Sequence, residues 1–382
     1  MLKPKQITFV SHRLDKKGGQ ERSSLEVLSR LKEMGHTVNI VSYNLEDWSI
    51  DPEHEYWHKV PFGGIPIQLL KNIWFSLYTY FYLKIKRPQF VMTIGVSSWI
   101  ADLRLVQFVH KRYLDTYREG RAKLPNQRTL IHRIYQLVFI YWTVYLEKVF
   151  FNKTKYFIAI SQTVKDQIEE LLKDKNRSSI EIIHHAPDRT DFHNKYIPED
   201  GILELLFVGA LERKGIKKVL DALESIKDES WVMNVVGDGD INRWKSYSKK
   251  LDIDKKVFFH GPRPAIPFFE NAHIFVFPST YEPFGLVVTE AISYGALPLA
   301  SCECGAMELW NDRPEFLKIS ATDSAKKWAK TLEIFINDRK LLNSLISEAR
   351  EAILGRSWDD AAKEYEACFL RIDEKSQKEM YI

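Results

Sequence analysis

Cysteine is scarce: three residues in 382, Cys302, Cys304 and Cys368. Three thiols build no disulfide framework, and the Cys-x-Cys pair has neither a His nor a second Cys pair at metal-ligand spacing. A small stapled scaffold and a structural zinc site are thereby excluded. Glycine and proline, 17 and 15 residues, are not enriched enough for a disordered chain, and neither low-complexity tracts nor repeats occur. The long apolar stretches Ile65–Arg87 and Ile131–Phe151 are broken by Lys71, Lys84, Arg133 and Glu147, which argues against a membrane span. The opening MLKPKQITFVSHR turns polar too soon for a signal peptide or anchor, so a cytoplasmic protein is expected. Gly-x-Gly-x-x-Gly is not satisfied, which excludes an NAD-dependent dehydrogenase.

What is present is the composition of a globular protein, 45% hydrophobic and 28% charged. Its length suits two α/β domains. The formal net charge of +4 conceals an asymmetry. Residues 1–190 carry 29 basic and 19 acidic side chains, a surplus of 10; residues 191–382 carry 26 and 32, a deficit of 6. A cationic half suits an anionic membrane leaflet or an acidic acceptor; no nucleic-acid partner is expected.

Strand-like runs alternate with helix-length segments: Ile7–Val10, Val38–Ser42, Phe90–Ile94, Val106–Val109 and Tyr156–Ile160, then Leu205–Val208, Trp231–Val236, Val257–Phe259, Ile274–Phe277 and Leu297–Ala300. The pattern predicts two doubly wound parallel sheets. We divide the chain into an N-terminal domain over 1–185, a linker at about 185–202, a C-terminal domain over 203–357, and a terminal helix and tail over 358–382. Apolar spacing of Trp358, Ala361, Ala362, Tyr365, Cys368 and Phe369 marks that helix, which is expected to pack on the N-terminal domain.

Tyr281-Glu282-Pro283-Phe284-Gly285-Leu286, running into Glu290, follows a buried strand. A helix beginning at Phe284–Leu286 would present free amides, with Gly285 allowing close approach, to an anion such as a diphosphate. Glu282 and Glu290 then offer two acceptors spaced along one polyol ligand. A second strand ends at Gly209, and Arg213 and Lys214 precede the next helix; both cations could neutralise a phosphate. Gly18-Gly19 opens a helix after the first strand. His110, at the end of Leu105–Val109, is placed where parallel strands face a ligand crevice. Arg263, after the Val257–Phe259 strand, is a further candidate for the anionic ligand.

Together these residues resemble the retaining glycosyltransferases of family 4, with the two-Rossmann-domain GT-B architecture and its interdomain cleft. The likeness spans nearly the whole chain and rests on Gly-Gly, a His after an N-domain strand, a cation pair, and Glu-Pro-Phe-Gly-x-x-x-x-Glu, in that order. Adjacent Arg213-Lys214 is similar to lipopolysaccharide-core glucosyltransferases. The resemblance implies that Gly18, Gly19 and Gly209 lie against donor or acceptor, His110 lines the sugar pocket, and Arg213 and Lys214 hold the diphosphate. Glu282 would contact sugar hydroxyls, the Phe284–Leu286 amides sugar or phosphate, and Glu290 the ribose. Two departures stand out: His184-His185-Ala186-Pro187-Asp188 replaces Pro-Asn-Gly-Val-Asp, and Lys111 follows His110 where Asp is usual.

The implied reaction transfers a hexose with retained configuration from a nucleotide-diphosphate sugar, with UDP chosen by analogy, and needs neither cofactor nor catalytic metal. The acceptor would be a glycan or lipid-linked hydroxyl in surface-polysaccharide synthesis. Ile65–Arg87 and Ile131–Phe151 mix aromatics with cations as an interfacial surface does; a peripheral location on the inner membrane face follows as an expectation. Two alternatives stay open: a nucleotide-sugar epimerase on the same fold, and a non-catalytic glycan-binding partner subunit.

Overall fold

The structure is a computed structural model and describes residues 5–16, 18–46, 48, 55–120, 130–188, 192 and 195–380. The strand runs form two separate all-parallel sheets. The first has seven strands in the order Glu55–Lys59, Thr37–Ser42, Gln6–Val10, Phe90–Ile94, Leu103–Val106, Tyr156–Ala159, Ser179–Ile182. The second has five, in the order Val257–Gly261, Trp231–Val236, Leu203–Val208, Ile274–Phe277, Leu297–Ala300. The internal strand Ile274–Phe277 is buried at every residue because helices cover both faces, and the edge strand Leu297–Ala300 is buried throughout as well. The two edge strands of the first sheet lack that cover: every residue of Ser179–Ile182 is only half-buried, and Tyr56 in Glu55–Lys59 is exposed. These two strands read as polar segments and escape a pattern search.

Two compact units result. One comprises Met1–Asp115, Leu124–His185 and Trp358–Ile382; the other comprises Thr116–Lys123 and Ala186–Ser357. The helix Trp358–Met380 thus belongs to the first unit. Trp358, Tyr365 and Phe369 are buried there, with Phe369 edge-on to Phe90 at 5.2 Å. Ion pairs fasten its length, Arg30 to Asp359 at 2.6 Å and Lys5 to Asp373 at 2.7 Å, and between them His36 Nε2 lies 3.3 Å from the Glu366 carboxylate.

The fourth expected strand lies elsewhere than at Val106–Val109. It occupies Leu103–Val106, and all four residues are buried, Arg104 included. A buried guanidinium is costly unless its donors are satisfied. Here Arg104 donates to the Gly95 and Ser98 carbonyls and to the Thr154 hydroxyl, and burial lowers its pKa to about 9. That internal charge hid the strand and displaces His110 from a strand end to the first residue of the helix His110–Arg118.

Candidate functional site

In the second unit Leu203–Val208 lies between Trp231–Val236 and Ile274–Phe277, so the chain leaves neighbouring strand ends toward opposite faces and opens a crevice. Glycines let backbones crowd its floor. Gly209 donates to the Val236 carbonyl at 2.9 Å with φ +133°, and a Cβ there would meet Lys214 Cγ at 3.0 Å. A Cβ on Gly215 (φ +85°) would meet the Pro278 carbonyl oxygen at 2.7 Å. Lys214 is therefore confined, 6% exposed, with its ammonium over the Phe277 ring at 5.2 Å and paired with the Glu282 carboxylate. Burial, then the Arg213 charge, push its pKa well below the ordinary lysine value. Arg213 itself is exposed.

Glu282 is held by a strap that sequence patterns did not reveal. Its amide donates to the Glu303 carbonyl at 3.3 Å and its carbonyl accepts from Gly305 at 3.0 Å. The buried Cys304 thiol donates to the Phe284 carbonyl at 2.9 Å, and burial raises its pKa to about 12. Gly285 turns the chain at φ +95°, where a Cβ would meet Cys304 Sγ at 2.8 Å and Glu282 Cγ at 2.9 Å. The helix Leu286–Ser293 follows with no side-chain cap; the Val288 amide donates to the Gly285 carbonyl at 2.9 Å, and the Leu286 and Val287 amides before it are those left for an outside acceptor. Phe284 and Leu286 bury their side chains in the core, leaving only backbone to meet a ligand. Glu290 is half-buried on that helix. The fold thus brings Gly209, Lys214, Glu282 and Gly285 together. Arg263 is exposed beyond Val257–Gly261 and among the described residues touches neither Lys214 nor Glu282; its charge adds to burial in lowering the His260 pKa.

Asp238-Gly239-Asp240 spells Asp-x-Asp. Asp240 caps the helix Ile241–Lys250, accepting from the Arg243 amide at 3.1 Å, and Asp238 accepts from Leu211 through its carbonyl at 2.9 Å. Among the described residues no three His, Cys, Asp or Glu side chains cluster as metal ligands would.

In the first unit the corresponding crevice opens where Gln6–Val10 and Phe90–Ile94 adjoin. Gly18 caps the helix Gly19–Glu33, with its carbonyl accepting from Arg22 at 2.9 Å. A Cβ at Gly18 would fall on the Glu21 carboxylate, which pairs with Arg13 at 2.8 Å. An anion reaching these amides therefore meets a carboxylate first. His12, unmarked by any motif, stacks on Phe75 at 4.3 Å with Nδ1 3.1 Å from the Ser97 hydroxyl. Burial, then the fields of Lys71 and His110, lower its pKa to about 4, leaving it neutral at physiological pH. His110 opens its helix against Glu147, a 1%-exposed carboxylate from the helix Leu130–Phe151. Sequence offered one signal for Glu147, a lone acid in an apolar helix, and it was read only as an obstacle to a membrane span.

Comparison with known proteins bears on both units. A "Glycosyltransferase Family 4" model matches residues 17–190, and a "Glycosyl transferases group 1" model matches 188–352. Lipopolysaccharide 1,6-galactosyltransferase of Salmonella typhimurium is 27% identical over 161 residues, 39% of this chain and 43% of that protein. The alignments span 43%, 54% and 37% of the first curated relatives, about half their length. The crystal structure of WaaG, a glycosyltransferase involved in lipopolysaccharide biosynthesis, superposes with a TM-score of 0.70 at 18% identity, over 94% of this chain and 98% of that one. Anabaena HepE, solved with UDP and glucose, gives 0.59 at 16%, over 96% and 99%. Such distant likeness speaks to the fold, which is GT-B: two Rossmann-like units, each on a parallel sheet. With adjoining models running from 17 to 352 on that fold, the chain belongs to the family 4 and group 1 glycosyltransferases.

Proposed function

We propose that this glycosyltransferase moves a hexose from a UDP-sugar, with retention, to a hydroxyl of a glycan or lipid-linked acceptor in surface-polysaccharide synthesis. The observation that carries this reading is the buried Lys214–Glu282 pair beside the uncapped start of Leu286–Ser293. A preorganised cation and open amides are what a departing diphosphate requires, because negative charge grows on it as the sugar C–O bond breaks. Arg213 adds a second cation. The acceptor hydroxyl attacks the anomeric carbon from the face the diphosphate leaves. Its proton passes to the departing phosphate oxygen, and Glu282 accepts hydrogen bonds from sugar hydroxyls while Glu290 takes those of the ribose. The acceptor class is supported by what the Salmonella relative and WaaG are named for, and UDP by the ligand of HepE.

A membrane surface suits the same reading. No helix among the described residues is long and apolar enough to cross a membrane. Along Leu130–Phe151, however, Ile131, Ile134, Val138 and Tyr145 are 51–79% exposed on one helical face. Gln68–Lys86 adds Phe81 and Ile85, and the two helices touch through the Leu69 amide and the Tyr135 hydroxyl at 3.1 Å. With the exposed Lys84 and Lys86 beside Phe81 and Ile85, this apolar and cationic surface suits the anionic bilayer interface.

One assay separates these claims. Protein is incubated with UDP-, GDP- or ADP-hexoses, with and without anionic vesicles at low salt. The expected outcome is nucleotide release from the UDP-hexose alone, with protein floating with the vesicles. Equal release from all three donors, or from none, would refute the donor assignment; absence of flotation would refute the membrane contact alone.

A further inference from the structure

Glu147 is the buried acid of the first unit. Its carboxylate accepts from the His110 amide at 2.6 Å and the Lys111 amide at 2.9 Å, and its Oε1 lies 2.7 Å from His110 Nδ1. Both amides belong to the opening turn of His110–Arg118, so the carboxylate is pinned by backbone before it meets the ring. An ionised carboxylate only accepts, so the ring nitrogen facing it must carry the hydrogen. In the neutral imidazole that leaves Nε2 with a lone pair. The ring rests against Phe108, whose centroid is 5.0 Å away, and its side chain is 30% exposed, so the outward nitrogen can meet a ligand.

We propose that Glu147 is a positioning residue that sets the tautomer of His110, so that Nε2 accepts a hydrogen bond from a substrate hydroxyl. The inference rests on the reading of His110 as a substrate contact. A carboxylate that merely capped a nine-residue helix would need its backbone bonds but no defined ring tautomer. Glu147→Gln touches both roles, and the ring tautomer tells them apart. Oε1 takes the His110 amide and the ring nitrogen together, so an NH2 in its place sets a donor against the ring nitrogen and leaves only the Lys111 amide capped.

The test uses the full chain with 15N-labelled histidine. In the unaltered protein His110 is expected as the Nδ1–H tautomer; in Glu147→Gln its signals should shift toward the other form. Turnover should fall on the order of 100-fold, the scale of one positioned hydrogen-bonding group, with donor KM held within about twofold of the unaltered protein. In a His110→Ala background the Glu147→Gln change should cost nothing further. Finding His110 protonated at Nε2 in the unaltered protein would overturn the proposal without any variant. So would an undiminished loss from Glu147→Gln in the His110→Ala background. If the tautomer shifts as expected while His110→Ala keeps full turnover, the positioning role stands and the substrate role of His110 fails.

Discussion

Lys214→Ala should lower kcat/KM for the sugar donor by about 1,000-fold, the upper range for losing one preorganised electrostatic group. The cation lies where a diphosphate would need it, and its slot between Gly209 and the Phe277 ring leaves no room for another side chain to substitute. Stability should fall as well. Glu282 would keep a carboxylate, 15% exposed, without its counter-charge, and an uncompensated buried charge costs about 3–5 kcal/mol. Glu282→Gln in the same chain should recover much of that loss and none of the activity. Donor-dependent nucleotide release, read beside thermal melts of both variants, checks the two halves of this expectation. A double variant that regained turnover would show that the cation serves only to neutralise Glu282.

Gly237→Ala should be the most destabilising single-atom change in the second unit. Gly237 closes the Trp231–Val236 strand at φ +151°, and an added Cβ would land on the carbonyl oxygen of Gly209. Unfavourable φ costs about 1–3 kcal/mol and overpacking a similar amount. A loss of about 4 kcal/mol in denaturant unfolding is expected. Relief of the clash would push Gly209 toward Lys214, so the remaining folded protein should bind donor more weakly. A melt within about 1 °C of the parent's, where 1 kcal/mol moves a domain of this size by about 2–4 °C, would contradict this account.

Much of the architecture was legible in the sequence because strands of a parallel sheet that are buried on both faces read as apolar blocks. The internal strands Phe90–Ile94, Trp231–Val236 and Ile274–Phe277, and the buried edge strand Leu297–Ala300, have the boundaries their residues announced. Legibility failed where burial and polarity part company. Glu55–Lys59 and Ser179–Ile182 are edge strands with polar residues, and Leu103–Val106 carries an arginine whose needs are met by the Gly95 and Ser98 carbonyls and by the Thr154 hydroxyl, fifty residues on. At the site, residue types could be read but pairings could not. Lys214 and Glu282 each looked like a ligand group, and only the fold shows them bonded to each other. His12 and Glu147 carry no motif; their roles depend on a ring stack with Phe75 and on the amides of His110 and Lys111.

The most direct test of the central claim is a crystal structure of the protein with bound UDP. The account predicts the diphosphate at about 3 Å from Lys214 Nζ and from the first amides of Leu286–Ser293, with Glu282 released toward the sugar position. A diphosphate bound away from these groups, with Lys214 still closed on Glu282, would contradict it.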